Sequence, residues 1–443
     1  MDMDMSFKPS SALVALAVVL ALSLLAATLA WRIPFMLFDH LDFAQIYAGW
    51  LNGSLAQTIF FHVHGGHLHV AAYAVLLVTT WASHGQTWAD CLASWVFLCL
   101  YALCMLWICR HSLRLDDGAV RVATALVIFL TLYPGHLPNL QWGWQVAVFL
   151  CLFGAVAAIA CLTAQKFTWT RNFIAIIATG LALASFATGL ALGPIALVAI
   201  FARRELSWKQ RFLFALPWLA SCLFAAFAMR SGVGVLSHFS AASLQNAWEK
   251  FQFVPIARYT LDYLGSGIAR FSPETAPWLA VAGLISGIIF WLKAAEDRAA
   301  WPWLALLSFG FLSAGLTALA RFNLGESGAF VGRYVSFSSV FWIGWVGLTA
   351  LAAPNMARKI YVLILLFIVA ALAAINAVAM AGQAQNLSAE TFKQAEILCE
   401  IYPNVDRAML EGMHYAGADA AAERLRVVHE LGFPPFDKCP PKN

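Results

Sequence analysis

Two aspartates three residues apart, Asp39 and Asp42, lie in the stretch Phe38-Asp39-His40-Leu41-Asp42-Phe43. If that stretch is helical, the spacing puts both carboxylates on one face. A partly desolvated pair of this kind takes a proton from a hydroxyl or holds a divalent cation such as Mg or Mn; the plainer reading is an interfacial helix with solvated acids. A little farther on, Phe61-His62-Val63-His64-Gly65-Gly66-His67-Leu68-His69 carries four histidines within eight residues. Imidazole suits zinc, copper or nickel. Yet Gly65-Gly66 marks a bend and no nearby cysteine completes a tetrahedral set, so no metal site is assigned. His64 and His67 can instead hydrogen-bond phosphate or sugar hydroxyls.

Two more constellations lie downstream. Asn139-Leu140-Gln141-Trp142-Gly143-Trp144-Gln145 interleaves amides with tryptophans. Such aromatics are ordinary anchors at a bilayer interface. Trp142 beside Gln141 and Gln145 is also what a carbohydrate site uses, stacking the apolar face of a sugar and hydrogen-bonding its rim. Arg321-Phe322-Asn323-Leu324-Gly325-Glu326 and Gly332-Arg333-Tyr334-Val335-Ser336 bracket one loop. Two arginines converging at headgroup level suit phosphate through charge-assisted bonds; alternatively they snorkel to lipid headgroups. Arg333 opens an apolar run from the side where basic residues are otherwise scarce, which favours a functional role.

The elements that must position these residues are membrane helices. Of 443 residues, 62% are hydrophobic and 11% charged, against about 25% charged in an average soluble domain. The apolar residues fall in runs of about 20, the thickness of a bilayer core. The expected fold is all-α, a polytopic transmembrane bundle of about eleven spans. Candidates lie at 11–31, 88–109, 119–134, 142–164, 172–186, 188–202, 210–229, 276–294, 300–320, 334–352 and 359–382. The first run is too long for a signal-peptide core and lacks a convincing cleavage site, so it reads as a retained span.

Basic residues fall at every second connection: Arg110, Arg114 and Arg121; Lys166 and Arg171; Arg203, Arg204, Lys209 and Arg211; Lys293 and Arg298; Arg358 and Lys359. The positive-inside rule makes these cytoplasmic, together with the N-terminus and Lys8. The alternation requires that 66–83 does not cross, as a re-entrant or interfacial helix; an even count with that stretch spanning is the rival. Loop 33–87, the loops 135–141, 231–275 and 321–333, and the tail 383–443 then face outward. They collect Asp39, Asp42, His62, His64, His67, Gln141, Gln145, Glu249, Arg258, Asp262, Arg270, Arg321, Glu326 and Arg333. Ionisable groups near membrane depth usually mark a site.

The chain divides into a membrane module, 1–382, and a small outer tail, 383–443, expected to be helical over about 389–413 and 417–431. Cys399 and Cys439 in that tail would share an oxidising compartment and pair. The other seven of nine cysteines, in or beside apolar runs, read as buried filler. The break Ala187-Thr188-Gly189-Leu190, with Gly193-Pro194, reads as a tight outer turn, or as short helices lining a cavity. The net charge of +4 comes without a basic arm or acidic tail, so nucleic-acid binding has no support.

Taken together, these segments resemble bacterial membrane glycosyltransferases of the GT-C architecture. That family carries an acidic pair after its first span, here Asp39 and Asp42. Its His-Asn-Glu-His-Arg-like motif falls on His64-Gly65-Gly66-His67-Leu68, where only the two histidines are kept. Its Trp-Gly-Phe-Gln-like turn is Trp142-Gly143-Trp144-Gln145. Its Arg-x-x-x-Gly and Ser-Arg-Tyr loop is Arg321 to Gly325 and Gly332-Arg333-Tyr334, with Gly332 replacing the serine. The resemblance runs over about residues 11–352.

It implies transfer of a sugar from a polyprenyl-phosphate donor to an acceptor hydroxyl, on a protein such as pilin, a glycan or a lipid, at the periplasmic face of a bacterial inner membrane. Transferases that place arabinofuranose on type IV pilin are of this size. With the motif glutamate absent, Asp42 is the expected base, with Asp39 as its partner or the base itself. The sugar and its phosphate would then meet His64, His67, Gln141, Trp142, Gln145, Arg321, Glu326, Arg333 and Tyr334. The rival functions are a transporter or flippase of a polar or lipid-linked substrate, and an enzyme of the O-antigen polymerase or ligase type.

Overall fold

The computed structural model describes residues 11–54, 63–64, 67–113, 117–231, 253–294, 296–352 and 356–439. His62, Gly65, Gly66, Arg114, Glu249 and Lys8 lie outside these residues. In chain order the elements begin with α1 (Ser11–Ala30), α2 (His40–Leu51), the two-residue strands β1 (Val63–His64) and β2 (His67–Leu68), α3 (Val70–Ser83), α4 (Thr87–Ser112) and α5 (Gly118–Thr131). They continue with α6 (Leu137–Leu140), α7 (Val146–Thr163), α8 (Trp169–Leu183), α9 (Leu192–Phe201), α10 (Trp208–Ser231), α11 (Phe253–Ala269) and α12 (Ala276–Ala294). The last are α13 (Trp301–Arg321), α14 (Gly332–Leu351), α15 (Met356–Ile401), α16 (Arg407–Met413) and α17 (Ala418–Glu430).

The protein is an α-helical, multi-pass membrane protein. Among the described residues, 8 helical segments are long and apolar enough to cross a bilayer: Ser11–Ala30, Thr87–Ser112, Gly118–Leu140, Gly143–Thr163, Ala276–Ala294, Arg298–Arg321, Gly332–Leu351 and Lys359–Ile401. The spans expected at 172–186 and 188–202 fall in the shorter helices Trp169–Leu183 and Ala187–Phe201. At 1.5 Å per residue each reaches about 22 Å, less than the roughly 30 Å of a hydrocarbon core. The stretch 66–83 forms the 14-residue α3, about 21 Å long and also short of a crossing.

The core is centred on α14, nearly all of whose residues are buried. It packs against α13 at very close range. A Cβ on Gly344 would lie 2.4 Å from the Leu307 nitrogen and 2.6 Å from the Trp303 carbonyl oxygen, so only glycine admits that approach. Of the hydroxyls that α14 buries, Ser338, Ser339 and Thr349 donate within the helix to the carbonyls of Val335, Ser336 and Trp345, while Ser336 Oγ accepts from Asn139 Nδ2 and meets His136 Nδ1. At the periphery, α1 exposes Val14, Val18, Val19 and Leu22, a face suited to lipid.

The tail is continuous with the last span. Helix α15 has 46 residues, about 69 Å, more than twice the bilayer core. The expected division at 382/383 therefore lies inside one unbroken helix. The expected helix over 389–413 is split: α15 ends at Ile401, and α16 restarts where the Asp406 side chain accepts from the Ala408 amide. Helix α17 then turns back onto α2. Phe433 packs with its ring centroid 5.3 Å from that of Tyr47, and it also fills the space where any side chain at Gly85 would stand. A disulfide joins Cys399 and Cys439 across a separation of 40 residues. Closing a loop of that length stabilises by about 3–4 kcal/mol in the chain-entropy model. Replacing both cysteines by serine should lower the thermal midpoint of the purified protein and speed trypsin cleavage within 402–438; an unchanged midpoint and digest would contradict this.

Candidate functional site

The carboxylates are placed by a backbone turn that only the folded chain holds. Phe38 adopts a left-handed conformation, φ 56°, which is uncommon for a residue with a bulky side chain. It is pinned from three sides. Its amide donates to the Met413 carbonyl oxygen at 2.9 Å, Trp142 Nε1 donates to the Leu37 carbonyl at 3.1 Å, and the Phe38 and Trp142 rings meet edge to face at 5.7 Å. Helix α2 starts from this turn, with Asp39 at its N-cap and Asp42 in its first turn.

Beneath it lies a buried support. His40 Nε2 is 3.6 Å from Asp90 Oδ2, with both side chains almost fully buried, and the Thr79 hydroxyl donates to Asp90 Oδ1. Burial holds the His40 imidazole neutral, its pKa lowered to about 3. The turn before α7 sits directly against this pair: a Cβ on Gly143 would lie 2.4 Å from Asp90 Cβ and 3.1 Å from His40 Cε1.

Both aspartates face His64 on β1. Its Nε2 is 3.5 Å from Asp39 Oδ2 and its Nδ1 is 3.3 Å from Asp42 Oδ2. Asp42 is further held by the tail. His414 Nε2 donates to Asp42 Oδ1 at 3.1 Å, with its Nδ1 accepting from the Ala416 amide at 3.1 Å, and Arg424 Nε donates to the same Oδ1. Burial pushes the Asp42 carboxyl up, but the hydrogen bonds and charge of His414 and Arg424 more than offset it, leaving it below its ordinary value. Burial likewise pushes Asp39 up, and the hydrogen bond and charge of His64, with the charge of Arg333, bring it below the ordinary value. The two acids differ in access: Asp42 is 6% exposed and Asp39 is 18% exposed. Asp39 is thus the ionised carboxylate that a bound molecule can reach.

Aromatic rings wall this centre. The His64 ring lies 4.9 Å from Trp144 and 5.7 Å from Tyr415, and Tyr415 itself is 70% exposed, a ring standing at the mouth. Tyr73, at 5.9 Å from Trp144, closes the floor, and the charges of Asp42 and Asp39 reach it.

The other sequence candidates sort by what they touch. His67 turns away from the carboxylates: it stacks on Phe186 at 4.0 Å and its Nδ1 accepts from the Ala187 amide at 3.2 Å. Burial, with the charges of His69, Arg321 and Arg333, lowers its pKa well below the ordinary value. Its Nδ1 ties β2 to the Ala187 turn. Gln141 is fully buried, and its amide, oriented by its neighbours, donates to the Trp31 and Ala384 carbonyls at 2.8 Å each. It fastens α1 to α15, a structural use in place of the expected sugar contact. Trp142 is spent on Leu37; Gln145 is buried where α7 begins.

The charges of Arg333 and Arg321 both reach His67, that of Arg333 also reaches Asp39, and Arg333 Nε has no hydrogen-bond partner among the described residues. Tyr334 is buried, stacked on Tyr263 at 4.6 Å. Glu326 is exposed, with its charge felt at Asp262.

The expected divalent cation fits the acidic pair poorly. One oxygen of Asp42 already carries the Arg424 guanidinium, and a metal there would face that charge at close range. The residues that sequence reasoning missed are His414, Tyr415 and Arg424. Nothing local marks them, since 372 and 382 positions separate Asp42 from His414 and Arg424.

Gly143→Ala drives a methyl into the His40–Asp90 support. It should cost about 1–3 kcal/mol, read as a lower thermal midpoint in detergent; a midpoint equal to that of the native protein would show that the support is soft.

No protein-family model matches the chain, and no curated protein matches it.

Proposed function

We propose that this protein is a membrane glycosyltransferase of GT-C type, which moves a sugar from a polyprenyl-phosphate donor to an acceptor hydroxyl. In this reading the chain is a multi-pass protein of a bacterial inner membrane, with the carboxylate pole in the periplasm and the basic connections in the cytoplasm. The observation that carries it is a partly exposed Asp39 held by His64 at the head of the bundle, with the Arg333 charge in reach of its carboxylate.

Asp39 is the base; Asp42, neutralised by His414 and Arg424, is its positioning partner. The acceptor hydroxyl gives its proton to Asp39 as its oxygen attacks the anomeric carbon. The bond from that carbon to the phosphate oxygen breaks, and the electron pair leaves with the polyprenyl phosphate. Arg333 and Arg321 stabilise the charge that the phosphate gains. His64 holds Asp39 in place, and Tyr415 and Trp144 offer aromatic faces to the sugar. No metal is needed, because the arginines supply the charge that a cation would.

Mass spectrometry of surface glycans and pilins tests this in a deletion strain complemented with wild type, Asp39→Asn or Asp42→Asn at equal membrane abundance. A pentose- or hexose-sized increment should vanish on deletion and return with wild type, while Asp39→Asn restores less than about 1% of it, the loss of a general base being worth roughly 100-fold or more. Restoration by Asp39→Asn would remove the base. A deletion that changes no glycan would end the transferase reading and favour transport.

The acid side of the pH profile is a separate check. The Asp39 carboxyl lies below its ordinary value of about 4, so transfer should persist until the pH falls below that range and be lost as the carboxylate protonates. His64→Ala removes the hydrogen bond and charge that hold Asp39 down, and should move this acid limb to higher pH. An unmoved limb would sever His64 from the base.

A further inference from the structure

At the pole opposite the carboxylates, the ends of α4, α7 and α13 enclose a second cleft. Helix α4 sets the distance: Thr87 starts beside the site and Ser112 ends at the cleft, 26 residues or about 39 Å away. The cleft has a volume of about 190 Å³ and is lined by His111, Lys166, Arg171 and Arg298, with Trp107 and Pro302 as apolar walls. No carboxylate is among its described lining residues.

Its frame is built. Arg203 is 1% exposed and donates through Nη2 to the carbonyls of Leu162 and Ala164 at 2.6 and 2.7 Å, which fixes the end of α7 as one wall. Glu205 accepts from Arg203 and takes both ends of the Arg298 guanidinium. That single acid therefore serves two arginines, while Lys166 and Arg171 form no ion pair among the described residues. Arg171 instead donates to the Lys166 carbonyl, which holds the two side chains at one edge of the cleft.

We propose that this cleft binds the phosphate headgroup of an anionic phospholipid. A cluster of cations without a lining carboxylate suits a phosphate ester, and basic pockets between membrane helices at such a boundary recognise anionic headgroups. The walls point to a lipid over a free anion. Trp107, 36% exposed, continues toward the membrane interior as an exposed stripe on one face of α4 through Leu103 (61%) and Val96 (41%). Such a stripe gives an acyl chain a track leading away from its headgroup, and free phosphate has no use for it. Arg171 and Lys166 take the phosphate oxygens; Arg298, already engaged by Glu205, closes the cleft.

The test uses the full chain in detergent, titrated with phosphatidylglycerol, phosphatidylcholine or inorganic phosphate, and read by native mass spectrometry and thermal unfolding. Phosphatidylglycerol should form retained adducts and raise the midpoint, phosphatidylcholine should not, and Lys166→Gln with Arg171→Gln should weaken phosphatidylglycerol about tenfold or more. Equal binding by the double variant would overturn the proposal, and so would an equal shift with inorganic phosphate alone, which would make the ligand a free anion. Should the double variant not fold, a photo-crosslinkable phosphatidylglycerol decides on the native protein. Adducts on peptides covering 96–112 or 163–171 support the site; adducts confined elsewhere overturn it.

Discussion

A carboxylate buried at the head of a membrane bundle must be matched by positive charge, and here the match comes from the far end of the chain. Asp42 is 6% exposed; left unpaired, an ion in that position would cost several kcal/mol. Arg424 and His414 supply the partners. Much else follows from that need. Helix α15 must run well beyond the bilayer to deliver the tail, the Cys399–Cys439 disulfide closes the tail's loop, and Phe433 wedges between Tyr47 and the Gly85 turn. The same docking places the Met413 carbonyl against the Phe38 amide and holds the turn from which both aspartates project.

The pairing also separates the roles of two acids that look alike. With Asp42 engaged by a guanidinium and an imidazole, its charge serves attachment. Asp39 keeps its charge, pairs with His64 among the described residues, and lies within reach of the Arg333 charge. One family of contacts thus secures the tail and leaves Asp39 as the more accessible carboxylate of the pair. The opposite pole uses the reverse arrangement, with one acid, Glu205, shared between arginines and cationic charge to spare.

Much of this was legible in the sequence because membrane helices write their signature locally. The long apolar runs and the i, i+3 spacing of Asp39 and Asp42 give the helical bundle and the shared carboxylate face directly. Cys399 was paired with Cys439 from residue type and compartment alone, whereas His64, expected at the sugar, stands between the two aspartates. Hydropathy decides least where helices are short: α8 and α9 read as spans, and the helices there are shorter than the 8 long apolar segments. It also could not tell a buried polar residue that binds substrate from one that fastens helices. Gln141 and His67 carry the residue types of a sugar site, yet the Gln141 amide is spent on the Trp31 and Ala384 carbonyls and His67 Nδ1 on the Ala187 amide. His414 and Arg424 were invisible because their meaning lies in a contact across 372 and 382 residues, and an amphipathic tail helix with arginines looks like any solvated one.

The central claim is that the tail and Asp42 form one energetic unit. A double-mutant cycle measures it most directly: Asp42→Asn, Arg424→Gln and the combination, compared by unfolding of the purified protein in detergent. If the unit exists, each single change destabilises and the combination is little worse than either, with a coupling of about 1–3 kcal/mol. Additive effects, with a coupling below about 0.5 kcal/mol, would mean that the tail is held by other contacts and that Asp42 is as free as Asp39 to act as the base.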